Sequence, residues 1–313
     1  MTILTSVKTL SLSDYHDSQT RDDFVHALIN SLKTFGFVVI KDHCIDDTLL
    51  STSNELNQQL FALPTDKKLD YTHTQLGLRG YTAFAKEHAK DNPEPDLKEF
   101  WHIGPEINKS SPYYGQYPNN LWPQEIAGFE PAMLQLYRQL SATASILLEA
   151  VGQGLGLSSD YFPQLVKDGN SVLRLIHYPP VAGMNTQDQM RAAPHADINL
   201  MTLLVGASDS GLQLLDKNNQ WLAVDSQAGE IIVDTGDMMA LITGNTLPST
   251  VHRVINPVSE SKPRYSMPFF VHPHANAELS CLPQFRSDEK RSYKSISAGE
   301  FLQQRLKENG LAS

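Results

Sequence analysis

Three sets of side chains in this chain of 313 residues have the types and spacing to do chemistry. The first is His195-Ala-Asp197, with His252 further along. Two neutral imidazoles and a carboxylate on one face suit non-haem ferrous iron, with the opposite face left open for substrate and O2. Side chains alternate along an extended segment, so His195 and Asp197 point the same way. His252 must then arrive from a strand that is distant in sequence and adjacent in space. Among 11 histidines and 35 acidic residues a lone His-x-acid pair arises by chance. The weight therefore rests on order: the pair, intervening hairpins, then the second histidine.

The second set is Arg264-Tyr-Ser266, again a same-face pair on an extended run. A guanidinium fork pairs bidentately with a carboxylate, and a neighbouring hydroxyl adds one more bond. An arginine deep in a barrel calls for an anion, because an unpaired buried charge is costly. On an edge strand it would be an ordinary surface residue. Tyr178 ends a run that shares one face with Arg174 and Ile176, from where it either donates to the same carboxylate or packs.

The third set is weaker. His272-Pro-His274 has the look of a metal pair without a third ligand, and its proline suggests a loop. Glu99-Phe-Trp-His102 falls in a loop-rich stretch that could cover a barrel mouth, although aromatic clusters more often form core. His177 should face away from Tyr178 as a structural residue. Asp234 and Asp237, flanking Gly236, should shape a turn.

The elements that must position these residues can be read from periodicity. Val7 to Leu12 alternates like a half-buried strand, and Arg21 to Phe35 carries Phe24, Leu28, Ile29 and Leu32 at helical spacing. Gly36 stops that helix, and Phe37 to Ile40 reads as a buried strand. A second helix, capped by Asp46 or Asp47, runs to about Leu63 before Pro64. Gly77 to Pro131 is loop-rich, and Pro131 to Gly154 is a long amphipathic helix. From Ser171 onward about eight short strand-like runs, Met238 to Thr243 among them, suggest an antiparallel barrel or jelly roll. Ser297 to Asn309 reads as one surface helix.

The fold class expected is mainly β with helical additions (α+β). A double-stranded β-helix (jelly-roll) core spans 168–275, a helix-rich N-terminal region, 1–167, wraps it, and an extension with a helix, 276–313, follows. No linker frees either half, so 1–313 reads as a single compact unit.

Composition narrows the partners. The net charge of -10 repels polyanions, and no Lys/Arg run counters it, which argues against nucleic acid and anionic membrane surfaces. Cys44 and Cys281 are too few for a disulfide framework or a thiolate zinc site. Met1 to Asp14 lacks the pattern of a signal peptide, and no apolar run approaches the roughly 18 residues of a membrane span. A reducing cytoplasm is the expected location and would keep iron ferrous. Oligomeric state leaves no mark in the sequence.

The motifs, taken in order, resemble a known family. Leu175-Ile-His-Tyr-Pro-Pro180, Pro194-His-Ala-Asp197, Gly211-Leu-Gln-Leu214, Asp234-Thr-Gly-Asp237, Ser249-Thr-Val-His-Arg-Val254 and Arg264-Tyr-Ser-Met-Pro-Phe-Phe270 are similar to the core of the isopenicillin N synthase-like branch of iron(II)/2-oxoglutarate-dependent oxygenases. Phe35-Gly-Phe-Val-Val-Ile-Lys-Asp-His43 resembles that family's N-terminal strand signature. The resemblance implies that His195, Asp197 and His252 ligate Fe(II). It implies that Arg264 and Ser266, helped by Tyr178, hold the distal carboxylate of 2-oxoglutarate. Phe270 would line the substrate side, and Arg174 stands where relatives often place a basic residue near the pocket. Ile176 replaces an asparagine found in many plant members.

The activity implied is oxidation of a small organic molecule with O2, most simply hydroxylation, releasing succinate and CO2, with ascorbate as an accessory reductant. Arg174 and the loops before residue 130 hint at a polar or carboxylated substrate. Two other readings stand beside it. One is an isopenicillin N synthase-like oxidase that dispenses with 2-oxoglutarate, against which Asn309-Gly-Leu-Ala-Ser313 lacks a glutamine ligand. The other is a non-catalytic, metal-bound jelly-roll binding module, since fold alone does not fix function.

Overall fold

A computed structural model of the chain describes residues 6–72, 78–88, 94–184, 186, 189–208, 210–257, 262–287 and 294–308. Asn309 to Ser313, and with them the terminal-glutamine argument, lie outside the described residues.

Strand β1 (Thr9–Ser11), helices α1 (Ser13–His16) and α2 (Arg21–Phe35) and strand β2 (Phe37–Lys41) come first. Helices α3 (Asp47–Ala62) and α4 (Thr65–Leu69), strands β3 (Gly80–Thr82) and β4 (Glu99–Ile103), and helices α5 (Phe129–Gly154) and α6 (Tyr161–Val166) follow. Then come β5 (Val172–Tyr178), β6 (Ala192–His195), β7 (Met201–Val205), β8 (Leu212–Leu215), β9 (Trp221–Ala223) and β10 (Glu230–Thr235). Helix α7 (Asp237–Ile242) leads into β11 (His252–Val254) and β12 (Arg264–Val271). A short ribbon, β13 (Glu278–Leu279) with β14 (Ile296–Ser297), precedes helix α8 (Ala298–Glu308).

The strands form an 8-stranded sheet in the order β1-β2-β10-β7-β12-β5-β4-β3 and a 4-stranded sheet in the order β6-β11-β8-β9. Apart from the parallel β1–β2 pair, the pairings in both are antiparallel. Period-two alternation decides what each face of the large sheet meets. On β12, Met267, Phe269 and Val271 join the core beneath the helices, where Phe269 meets Tyr137 of α5 edge-on at 5.0 Å. Ser266, Pro268 and Phe270 turn the other way, into the space between the sheets. That space is closed at one side by an apolar cluster of Phe37, Val39 and Ile232 from the large sheet with Ala192, Leu212, Leu214 and Val254 from the small one. The two sheets facing each other make the jelly roll.

The N-terminal segment is held to the barrel by Gly36. Its φ of +69° ends α2, its N–H donates to the Leu32 carbonyl at 2.8 Å, and a Cβ there would lie 2.3 Å from Thr250 Oγ1. Only glycine satisfies both the left-handed turn and the close approach. Phe37, next in line, then sits edge-on to His252 at 5.6 Å. Asp46 caps α3 by accepting from Leu49 N at 2.8 Å.

Several local expectations change. Met238 to Thr243 is not a strand: Asp237–Ile242 is helix α7. A short apolar run fits either period, and here Gly236 opens a helical turn whose Met238 N–H reaches the carbonyls of Ile198 and Asn199. Glu99 to His102 is not a loop over the mouth but part of β4, wholly buried between β3 and β5. The surrounding prolines and glycines disguised a strand whose Glu99 is neutralised by Lys68 at 2.8 Å. Four strands of the large sheet, β1 to β4, lie before residue 168.

Candidate active site

The small sheet delivers the histidines. His252 of β11 and His195 of β6 are direct cross-strand partners, with ring centroids 4.4 Å apart. Asp197 follows β6 on the same side, and its Oδ1 lies 3.9 Å from His195 Nε2 and 3.8 Å from His252 Nε2. One donor atom from each of the three falls within 4.8 Å of the others. That compactness suits a single ion bound at about 2 Å from each ligand.

Hydrogen bonding sets which atoms are available. His195 Nδ1 faces the Ala193 carbonyl at 2.7 Å, and His252 Nδ1 faces the Thr250 carbonyl at 3.1 Å. A carbonyl only accepts, so each Nδ1 carries the hydrogen and each Nε2 keeps a lone pair toward Asp197. Burial, with His252 as its neighbour, lowers the His195 pKa to about 4 and keeps its ring neutral. Asp197 Oδ2 accepts from Thr202 Oγ1, which in turn accepts from Asn199 Nδ2 at 2.9 Å. The other carboxylate oxygen is left facing the histidines. These are the donor types that a divalent transition ion requires.

Asp234, read from sequence as a turn residue, is instead buried in β10. Burial, and then the nearby Asp197 carboxylate, push its pKa well above the usual range. Thr202 and Asp234 went unnoticed as neighbours of Asp197 because no spacing rule links β7 and β10 to the segment after β6.

The large sheet delivers the second set. Arg264 of β12 and Tyr178 of β5 are cross-strand partners, and the guanidinium carbon lies 5.0 Å from the tyrosine ring. Arg264 is 2% exposed and donates to Ser266 Oγ at 3.2 Å. All three line a small cavity of about 70 Å³ together with His195, Asp197 and His252. Both sequence-derived sets therefore meet in one place.

A larger cavity of about 340 Å³ opens from the other side of His195 and Asp197. Phe270 and Arg174 line it, as the resemblance implied, but Arg174 is not free to meet a substrate anion. Its Nη1 and Nη2 donate to the two Glu87 oxygens at 3.0 and 3.2 Å, and its Nε donates to His102 Nε2 at 2.6 Å. Lys98 bridges Glu87 and Asp96, each at 2.8 Å. Burial alone would raise the Glu87 pKa, but Arg174 and Lys98 outweigh it and hold the carboxyl below its usual range. Asp96 also accepts from Ala193 N at 2.9 Å, which ties this ion network to β6. The acid and lysine partners had no sequence signal, since they sit in the loop-rich stretch far from β5.

His177 points away from the cavity, bonded to Glu99 at 2.7 Å and stacked on Tyr265 at 4.8 Å. Helix α8 does more than cover surface. Its Leu302, Arg305 and Leu306 wall the large cavity, and Arg305 Nε lies 3.3 Å from Asp237 Oδ2. Among the described residues, no helix is long and apolar enough to cross a membrane.

With this geometry in view, the chain can be set beside known proteins. Residues 169–273 match the 2OG-Fe(II) oxygenase superfamily, and residues 7–125 match the N-terminal region described as that of a non-haem dioxygenase in morphine synthesis. The chain is 30% identical to a 2-oxoglutarate-Fe(II) type oxidoreductase of Metarhizium rileyi, covering 96% of this chain and 90% of that protein. A 2OG-Fe(II) oxygenase family protein from Caulobacter crescentus superposes with a TM-score of 0.88 at 39% identity, covering 97% of this chain and 99% of that one. A Neurospora crassa protein solved with α-KG and thymine superposes with a TM-score of 0.84 at 29% identity, covering 96% of each chain. That protein has also been solved with α-KG and 5-formyluracil.

Proposed function

The chain belongs to the 2OG-Fe(II) oxygenase superfamily and is a non-haem Fe(II), 2-oxoglutarate-dependent dioxygenase, and from that premise we propose which residues do which part of the work. His195, Asp197 and His252 hold the iron. The observation that carries this is the pair of Nδ1 bonds to backbone carbonyls, which leaves two Nε2 lone pairs and one carboxylate oxygen converging. Arg264 and Ser266 clamp the distal carboxylate of 2-oxoglutarate, with Tyr178 alongside. The fork of Arg264 gives direction as well as charge to that grip.

Bound iron, with 2-oxoglutarate and O2, supplies the oxidising chemistry and releases succinate and CO2. The protein supplies positions. Apolar Phe270, Val172, Ile198 and Leu302 give the large cavity an apolar patch that would place a small organic substrate beside Asp197 and His195. A cavity of about 340 Å³ suits a molecule the size of a single ring, such as the thymine held by the Neurospora protein. Chain 1–313 acts as one unit, because β1 to β4 are paired into the sheet that carries the clamp. The free thiols of Cys44 and Cys281 and the need for ferrous iron favour the cytoplasm, with ascorbate as an accessory reductant. The net charge of -10 speaks against nucleic acid as a partner.

Anaerobic titration of the Fe(II)-loaded protein with 2-oxoglutarate tests the assignment. A weak visible charge-transfer band should appear, and in Arg264→Ala the concentration that half-saturates it should rise by about 10- to 100-fold, the loss of charge-assisted bonds. An unchanged titration removes Arg264 from the clamp. Release of labelled CO2 from 2-oxoglutarate separates this reading from an oxidase that needs no co-substrate.

A further inference from the structure

Three histidines stand around the proposed iron site, His195 and His272 lining the large cavity and His252 the small one, and they are not in the same state. His195 and His252 spend Nδ1 on carbonyls and keep Nε2 bare. His272 continues the inward face of β12 two residues beyond Phe270 and lines the same cavity. Its backbone N–H is anchored to Ser171 Oγ at 3.1 Å, but its ring Nδ1 is enclosed with no hydrogen-bond partner among the described residues. Burial, the largest influence, lowers its pKa to about 4 against the opposing pull of Asp197, so the ring is neutral.

A neutral imidazole has one N–H and one lone pair. An enclosed N–H with no acceptor is the rarer and costlier defect; an enclosed lone pair is better tolerated. Nδ1 of His272 therefore holds the lone pair and Nε2 carries the hydrogen. This is the reverse of the tautomer in His195 and His252, and it makes His272 a donor rather than a metal ligand. Arg79, which also acts on His272, donates to Asn170 Oδ1 at 2.7 Å and is not among the residues lining the cavity, whose own cations are matched. Arg174 is matched by Glu87, Lys98 by Glu87 and Asp96, and Arg305 by Asp237. A substrate carboxylate entering this cavity would find its cations already engaged.

We propose that His272 is a substrate-binding residue, donating from Nε2 to a carbonyl oxygen of an uncharged cyclic substrate whose ring lies against Phe270. The proposal rests on the reading of this cavity as the substrate side of the oxygenase. It names the substrate class by charge and acceptor: a small neutral ring with an exocyclic carbonyl. A site built around such a donor rejects analogues lacking the acceptor, because the donor is then left unpaired.

The test uses the full chain with Fe(II) and 2-oxoglutarate under anaerobic conditions. Thymine and 5-formyluracil serve as uncharged probes and 5-carboxyuracil as their charged counterpart, with dissociation constants read by calorimetry. Wild type should bind the neutral rings at least about tenfold more tightly than the carboxylate. His272→Phe should weaken thymine by about tenfold or more, and His272→Gln, which keeps a donor at similar reach, should restore it to within about threefold. In a separate arm with O2 admitted, wild type without substrate should release CO2 from 2-oxoglutarate; its absence would count against the oxygenase assignment instead. Equal thymine affinity in wild type and His272→Phe overturns the proposal, as does failure of both neutral rings to bind or a preference for the carboxylate. Nitrogen-15 spectra of histidine-labelled wild type provide a check that needs no variant. A His272 protonated at Nδ1 would refute the donor role, and one protonated at Nε2 supports it.

Discussion

The two ends of the barrel are built on the same strand and by different means. At one end of β12, Arg264 and Ser266 meet Tyr178 and the His195–Asp197–His252 group, and every one of these residues lies on a strand or immediately beside one. At the other end, Phe270 and His272 face a wall assembled from the segment around Glu87, from Asp96, Lys98 and His102, and from helix α8. The first end needs fixed angles, and cross-strand pairing supplies them. The second end has to fit one substrate among many, and loops and a terminal helix can change shape without disturbing the ladder. On the proposed assignment, chemistry is held by the sheet, while selectivity is held by what is laid over it.

Substitutions at the two ends should separate these roles. The largest effect is expected at the metal end: His252→Ala should abolish turnover and weaken Fe(II) by more than about 100-fold, beyond the loss typical of removing a ligand's hydrogen-bond partner. Iron titration followed by an oxygen-electrode assay would show it; retained iron affinity would break the ligand assignment. Next comes the charge network of the substrate end. Glu87→Gln leaves Arg174 and Lys98 short of an anion and should cost on the order of 3 kcal/mol in stability. Because the folded pKa of Glu87 lies below its unfolded value, its contribution is full above the ordinary carboxylate range and is lost as pH falls through the lowered value. The variant's melting temperature should therefore fall less on acidification than that of wild type, and parallel curves would refute the linkage.

Two smaller effects sharpen the contrast. Thr202→Val removes the hydroxyl from Asp197 Oδ2 and should weaken iron by about 10-fold without altering the half-saturating 2-oxoglutarate concentration. Arg305→Ala breaks a partly exposed pair with Asp237, so melting should shift by no more than the equivalent of about 1 kcal/mol. Its effect should appear instead as a higher KM for substrate with kcat little changed, measured by succinate release. A fall in kcat with KM constant would put α8 in the chemistry rather than at the mouth.

The metal end was legible because its rules are local. A His-x-Asp pair and an Arg-x-Ser pair each lie on one face by period-two alternation, and that alternation does not depend on the rest of the fold. The substrate end was read less well for the opposite reason. Arg174 and the loops before residue 130 hinted at a polar or carboxylated substrate, and the structure adds that the charge of Arg174 is paired with Glu87, 87 positions earlier in the chain. His272 looked like half of a metal pair, whereas its partner His274 turns out of the cavity to Tyr113 at 2.8 Å. The strand at Glu99 was masked by its prolines, and the helix at Asp237 by an apolar run too short to have a period of its own.

By itself the sequence determined the barrel, its helical flank, and the donor types at the proposed iron and co-substrate positions, since alternation and residue chemistry are properties of short segments. Tertiary structure alone decided which nitrogens are bare, which charges are already matched, and which histidines line the large cavity. Those depend on neighbours brought together across tens of residues, and protonation and hydrogen bonding follow the company a group keeps in space, not its place along the chain.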